Sequence, residues 1–247
     1  MDLGRAYTFA FKDPEWTSKV GLGALMAGVP GLNFVSLGYG VELARNVARG
    51  EARPLPTWNR FEKLFVDGFW LSLAHMIYLS PLLAMGGCGL LALWAGLFLA
   101  FQGQTDQQIG LNFVLVAGVF LVGMLALSVF SFFAGLVMPA VTAQYVRRGT
   151  FAACFRFSDV WQLVRDNSSA YLLVWVGMQI CSWVVFPVVF AVGTVVSFIP
   201  CLGTFAYLLL LGTASFTIWL VSGHLTGQLL VADAARQAAT AAPSPTA

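Results

Sequence analysis

The stretch "NSSAYLLVWVGMQICSWVVFPVVFAVGTVVSFIPCLGTFAYLLLLGTASFTIWLVSGHLTGQLLVA", residues 167–232, runs from Asp166 to Asp233 without one Asp, Glu, Lys or Arg. A helix rising 1.5 Å per residue needs only about 20 apolar residues to cross roughly 30 Å of hydrocarbon. "IPCLG" (199–203) supplies turn chemistry near the middle, so the stretch reads as two membrane helices, about 169–198 and 204–233. Working back along the chain, Asp106 is the only formal charge between Asp67 and Arg147. The polar segment "QGQTDQQ" (102–108) divides that region into helices of about 67–101 and 111–146. The second is longer than a bilayer requires, so it tilts, kinks near Pro139 or projects.

Composition agrees. The chain is 59% hydrophobic and 10% charged, against about a quarter charged in soluble domains. An outer-membrane barrel would show short alternating segments, and the sequence has none. The start, "MDLGRAYTFAFKDPEW" (1–16), has no continuous apolar core and no small-residue cleavage site, so it is expected to remain in place. Residues 2–12 instead read as a short amphipathic segment lying in the membrane interface. A net charge of +2 makes no case for nucleic acid as a partner. Cys88, Cys154, Cys181 and Cys201 form no C-x-x-C pair and read as small packing residues.

"VGLGALMAGVPGLNFVSLGYGVELA" (20–44) is either one helix kinked at Pro30 or two short helices folded at "VPGLN". Lys12 and Lys19 precede it, and Arg45 and Arg49 follow. Basic residues on both sides favour a hairpin with both ends in the cytoplasm. Such a dip is tolerated where its tip is buried in protein or faces water. The expected fold is therefore an all-α polytopic bundle of about six membrane segments, the first two a short hairpin. It forms a single transmembrane domain over 1–237, followed by a disordered tail, 238–247. Both termini are expected on the cytoplasmic side of the membrane.

Charge gathers in "RNVARGEARPLPTWNRFEKLFVDG" (45–68), which carries Arg45, Arg49, Arg53, Arg60 and Lys63 of the chain's 13 Lys and Arg. Displaced by 99 residues (Arg49 to Arg148), it overlays "VRRGTFAACFRFSDVWQLVRDN" (146–167). Arg49-Gly50 meets Arg148-Gly149, Leu64 meets Leu163, and Asp67 meets Asp166. Trp58, Phe61 and Phe65 in one copy, and Phe157, Val160, Trp161 and Val164 in the other, follow helical spacing. Each loop is expected to carry an in-plane amphipathic helix, with Thr57 and Ser158 as N-caps. Asp67 and Asp166 would then open the following helices. The repeat units would be 31–101 and 111–199. Arg49, Arg53, Trp58, Arg60, Phe61, Arg148, Arg156 and Trp161 are the residues expected to face lipid or a partner, because cations beside interfacial aromatics attract anionic headgroups.

Several residues of the N-terminal third also form a recognisable set: "FAFKDPEW" at 9–16, Gly38-Tyr39, Arg45-Asn46, Gly50, "PLPTW" at 54–58 and "LFVDGF" at 64–69. In these the chain resembles the prokaryotic membrane family called domain of unknown function 4013. It departs at Thr57, where that family more often has an acid. The resemblance implies a multi-pass membrane protein of bacteria or archaea, expected in the inner membrane, and brings no activity or site residues with it.

Signatures of common enzyme chemistry (H-E-x-x-H, G-x-S-x-G, the P-loop and the dinucleotide fingerprint) are absent from the sequence, and no enzymatic activity is expected. His75 and His224 are the outstanding ionisable residues within apolar runs. Both sit roughly 12–14 Å from the nearest charged helix end. One reading is axial ligation of a haem or chlorophyll-type pigment. The other is interhelical hydrogen bonding, with Gly223-x-x-x-Gly227 as a packing seam. Gln179 and Gln228 read as interhelical glue, and Glu42 as a partner of Arg45 one turn on. No resident cofactor is expected otherwise. The leading functional expectation is a non-enzymatic structural or accessory subunit of a larger membrane complex, or a lipid-organising protein. The alternatives are a transporter for a small or amphiphilic solute and a pigment-binding subunit.

Overall fold

The computed structural model describes residues 1–100, 102, 106–199 and 202–241. Among the described residues the uncharged runs after Asp67 are helical apart from the turns at their ends and at 198–202, and no strand occurs. The helices are α1 Leu3–Thr8, α2 Trp16–Gly28, α3 Asn33–Ala48, α4 Phe61–Ala100, α5 Asp106–Arg148, α6 Phe157–Asp166, α7 Ser168–Ser197 and α8 Gly203–Ala241. Short 3-10 turns occupy Phe9–Lys12, Trp58–Arg60 and Phe151–Phe155. Four helices, α4, α5, α7 and α8, are long and apolar enough to cross a membrane. Residues 103–105 of the polar segment, residues 200–201 of the 199–203 turn, including Cys201, and the tail from 242 lie outside the described residues. Residues 238–241 continue α8.

The chain divides into two compact units. The first contains Met1–Ala74 and Met138–Ala247. Its centre is α8, against which α2, α3 and α7 pack. The α3–α8 seam is made by small residues. A Cβ on Gly223 would come within 2.4 Å of the Gly40 carbonyl oxygen, and one on Gly227 within 2.7 Å of that of Ala44. Gly223-x-x-x-Gly227 therefore lets two backbones touch, as small-residue seams do between membrane helices. Residues 20–44 form two helices rather than one kinked helix. Gly31, at φ +86°, turns the chain just after Pro30, and the Ser36 hydroxyl ties α3 back to the Gly23 carbonyl at 3.0 Å. Tyr39, Leu43, Leu55, Leu64 and Phe216 form the core between them, with Phe9.

The N-terminal segment packs part of its apolar side on protein and leaves Phe11 exposed. Ala6 and Phe9 are buried, the Tyr7 hydroxyl donates to the Gly177 carbonyl at 2.7 Å, and Asp2 exchanges two hydrogen bonds with Gln228.

The second unit, His75–Val137, pairs the later part of α4 with the earlier part of α5. Gly96 lies against Val116. An apolar groove of about 560 Å³ runs between the two segments, lined by residues such as Met85, Leu93, Val119 and Phe120. Leu91, Trp94 and Val122 point outward, an arrangement that favours hydrocarbon over water as the surrounding medium. Cys88 is exposed on this unit, contrary to its expected packing role, whereas Cys154 and Cys181 are buried in the first unit.

Candidate functional site

The first basic loop is built from the end of α3. Arg49 closes the helix and Gly50 adopts φ +73°. The Gly50 and Glu51 amides turn back to the Val47 and Asn46 carbonyls, which satisfies carbonyls that the helix end would leave unpaired. Residues 54–56 are then strapped onto α3. The Asn46 amide donates to the Pro54 carbonyl and the Tyr39 hydroxyl to the Pro56 carbonyl, each at 2.8 Å. Trp58 stacks on Tyr39 with ring centroids 4.4 Å apart. A single 3-10 turn leads directly into α4 at Phe61.

Two expectations are corrected here. The first loop carries no separate in-plane helix, because nothing between Arg60 and Asp67 breaks the helical run and α4 simply starts earlier. Asp67 is consequently inside α4 and does not open it. Thr57 and Ser158 make no capping hydrogen bond, and α6 is preceded by Arg156.

The strap, α3, the start of α4 and the turn before α2 enclose a polar basin of about 650 Å³. Its acids sit low. Glu42 is buried and receives Lys63 at 2.7 Å and Arg45 at 3.1 Å. Asp13 is buried and receives Lys19 at 2.8 Å and the Glu15 amide at 2.9 Å. Burial alone would raise the Asp13 carboxyl. The hydrogen bonds from Lys19 and the Glu15 amide, together with the charges of Lys19 and Arg53, outweigh burial and hold its pKa below the usual carboxylate value. Beneath the basin, Arg45 reaches Asp67, which also accepts from the Tyr145 hydroxyl at 3.0 Å. The Arg45 Nε donates to the Val146 carbonyl at 3.4 Å, placing a cation at the C-terminal end of α5, where the helix dipole favours it. The basic residues Arg49, Arg53, Arg60 and Lys63 form the rim.

The second loop also begins at a left-handed glycine, Gly149 at φ +65°. Thereafter it differs. α6 is a separate helix that buries Val160 and Leu163 and leaves Phe157 66% and Trp161 68% exposed. Arg148 pairs with Asp159 at 2.6 Å. Arg147 pairs with Asp233, which also accepts from the Asn167 amide at 2.7 Å and the Gln237 amide at 2.9 Å. These groups surround a cavity of only about 100 Å³.

Of the residues singled out in the sequence, Arg49, Arg53 and Arg60 line the basin, while Trp58 is packed inward beneath the strap. Phe61, Arg156 and Trp161 are exposed, and Arg148 is half of an ion pair. His224 belongs to the first unit and His75 to the second. The His224 ring stacks on Phe9 with centroids 4.4 Å apart, and its Nδ1 lies 3.0 Å from the Gln228 amide nitrogen. One ring face and one ring nitrogen are thus already engaged within the protein. Asp13, Lys19, Tyr39, Glu42, Asn46 and Lys63 were not foreseen as site residues. For Asp13, Tyr39 and Asn46 the signal was present in the motifs, since "DPEW", Gly38-Tyr39, Arg45-Asn46 and "PLPTW" converge on this one basin; Lys19, Glu42 and Lys63 lie outside those motifs. Among the described residues no three His, Cys, Asp or Glu side chains are grouped to hold a metal.

Comparison with curated proteins and with solved structures returns no match. The profile of the family described as "Protein of unknown function (DUF4013)" matches residues 22–201. That span reaches well beyond the N-terminal third in which the motifs lie, and it leaves out "FAFKDPEW". The chain belongs to the DUF4013 family.

Proposed function

We propose that this is a non-enzymatic integral protein of a prokaryotic cytoplasmic membrane that organises lipid at the inner leaflet. The observation that carries the reading is α6. It presents Phe157 and Trp161 outward beside Arg156 and Arg165, on the end of the first unit where the charged groups gather. Aromatics at headgroup level with flanking cations are the usual anchor to an anionic surface. Basic residues at the ends of α3, α5 and α8 support the same orientation, with both termini inside and the α2–α3 hairpin dipping without crossing. The test is reconstitution of the full chain in bilayers of mixed zwitterionic and anionic phospholipid, with measurement of the lipids retained around it. Wild type should enrich anionic lipid. Trp161→Ala combined with Arg156→Gln should reduce the enrichment several-fold, and unchanged enrichment would count against the reading.

A second reading, an accessory subunit of a larger membrane complex, is favoured by the apolar groove of about 560 Å³ in the second unit. It predicts stoichiometric partners after extraction in mild detergent; purification alone from the native membrane would count against it.

A further inference from the structure

The charge arrangement of the basin is asymmetric. Each of its carboxylates already has a cation close by. Asp13 has Lys19 at 2.8 Å, and Glu15 shares that ammonium at 3.4 Å. Glu42 has Lys63 at 2.7 Å, and Glu51 has the Arg49 Nε at 3.0 Å. These pairs engage Lys19, Lys63 and Arg49. Two guanidinium groups on the rim hold no hydrogen-bonded carboxylate. Arg60 is 71% exposed and comes no nearer than 4.0 Å to Glu42. Arg53 makes no ion pair or hydrogen bond among the described residues, and it feels Asp13 only at longer range. Each guanidinium has five N–H donors in a planar fork suited to phosphate oxygens. The remaining wall is apolar where Leu55, Pro56 and Leu64 line it, and the volume of about 650 Å³ falls in the range of small-ligand sites.

The geometry points to a seat for a phosphate-bearing headgroup in this basin, held between Arg53 and Arg60. Resting on the reading that this end of the protein meets the lipid surface, the basin is a single site, distinct from the diffuse contact of α6. The shared chemistry is an anionic phosphate, carried by a phospholipid headgroup or free in solution. The floor carboxylates contribute by holding nearer cations, so that Arg53 has no carboxylate partner and Arg60 has only a 4.0 Å contact with Glu42.

Native mass spectrometry of the delipidated full-length protein tests this with three probes: phosphatidylglycerol, phosphatidylcholine and inorganic phosphate. Wild type should bind one phosphatidylglycerol more tightly than phosphatidylcholine. At about fivefold per basic residue near an anionic surface, Arg53→Gln with Arg60→Gln should weaken that adduct roughly thirtyfold. Arg53→Lys with Arg60→Lys keeps the charge, loses the fork, and should weaken it by less. Arg236→Gln, at a cation outside the basin and 3.9 Å from Asp166, should leave it unchanged. Displacement of the lipid by inorganic phosphate assigns free phosphate as a ligand, and its failure to compete assigns the lipid headgroup. Equal binding of phosphatidylglycerol by wild type and by both Arg53/Arg60 double variants would overturn the seat. If anionic enrichment in bilayers then still depends on Trp161 and Arg156, the lipid-organising reading stands without it. If none of the variants matters, both fail.

Discussion

The loop at 45–68 and the loop at 146–167 leave their preceding helices in the same way and then turn opposite faces to their surroundings. In each, an arginine precedes a left-handed glycine, Gly50 or Gly149. After that the first loop is drawn onto its own helix. Asn46 and Tyr39 hold the Pro54 and Pro56 carbonyls, and Trp58 lies on Tyr39. The second folds as an independent amphipathic helix with Trp161 outside. Asp67 is 12% exposed at the side chain and bonded to Arg45 and Tyr145. Its counterpart Asp166 is 39% exposed at the side chain and 3.9 Å from Arg236. The two loops thus end differently: the first builds a polar basin, and the second leaves Trp161 exposed.

The largest test of that difference is at the two aspartates. Asp67→Asn removes one counter-ion of a mostly buried arginine and should destabilise the protein by about 3 kcal/mol, the lower end for breaking a buried pair because Glu42 remains. Asp166→Asn should cost about 0–1 kcal/mol, as exposed pairs do. Unfolding midpoints in detergent would measure both, and equal losses would erase the distinction. Next come the tryptophans. Trp58→Ala should cost roughly 2–3 kcal/mol, somewhat less than a fully buried aromatic. Trp161→Ala should leave detergent stability unchanged while weakening retention of anionic lipid.

The glycines sharpen what the loops share. Gly50→Ala and Gly149→Ala should each cost about 1–2 kcal/mol, since both positions need a left-handed backbone and neither is crowded. A large difference between them would argue against common descent of the two loops.

The smallest expected effect is at Asp13. Its folded pKa lies below the unfolded value of 3.8. Its contribution to stability is therefore in place above that value and is lost as pH falls through the lower folded one. Asp13→Asn should flatten the acid limb of a stability–pH curve below about pH 4, and an unaltered limb would remove Asp13 from the basin's electrostatics.

The uncharged runs and the basic loops were legible because membrane insertion sums over residues in sequence order, so a long apolar stretch reads without knowledge of its neighbours. The Gly223-x-x-x-Gly227 seam and the turn at Pro30-Gly31 were legible too, since small residues and turn chemistry act locally. The fate of Trp58 was not. Helical spacing places it on a face, but only the Tyr39 ring, 19 positions away (58 − 39), decides that this face meets protein. The basin is assembled from two stretches, 13–19 and 42–64, and although Glu42 read in sequence as a partner of Arg45, its contact with Lys63 and the approach of Asp13 did not show. What the sequence by itself determined is which segments favour hydrocarbon and at which helix ends charge collects. Tertiary structure decided which arginines are neutralised and which stay unpaired, because that depends on distances between side chains far apart in the chain.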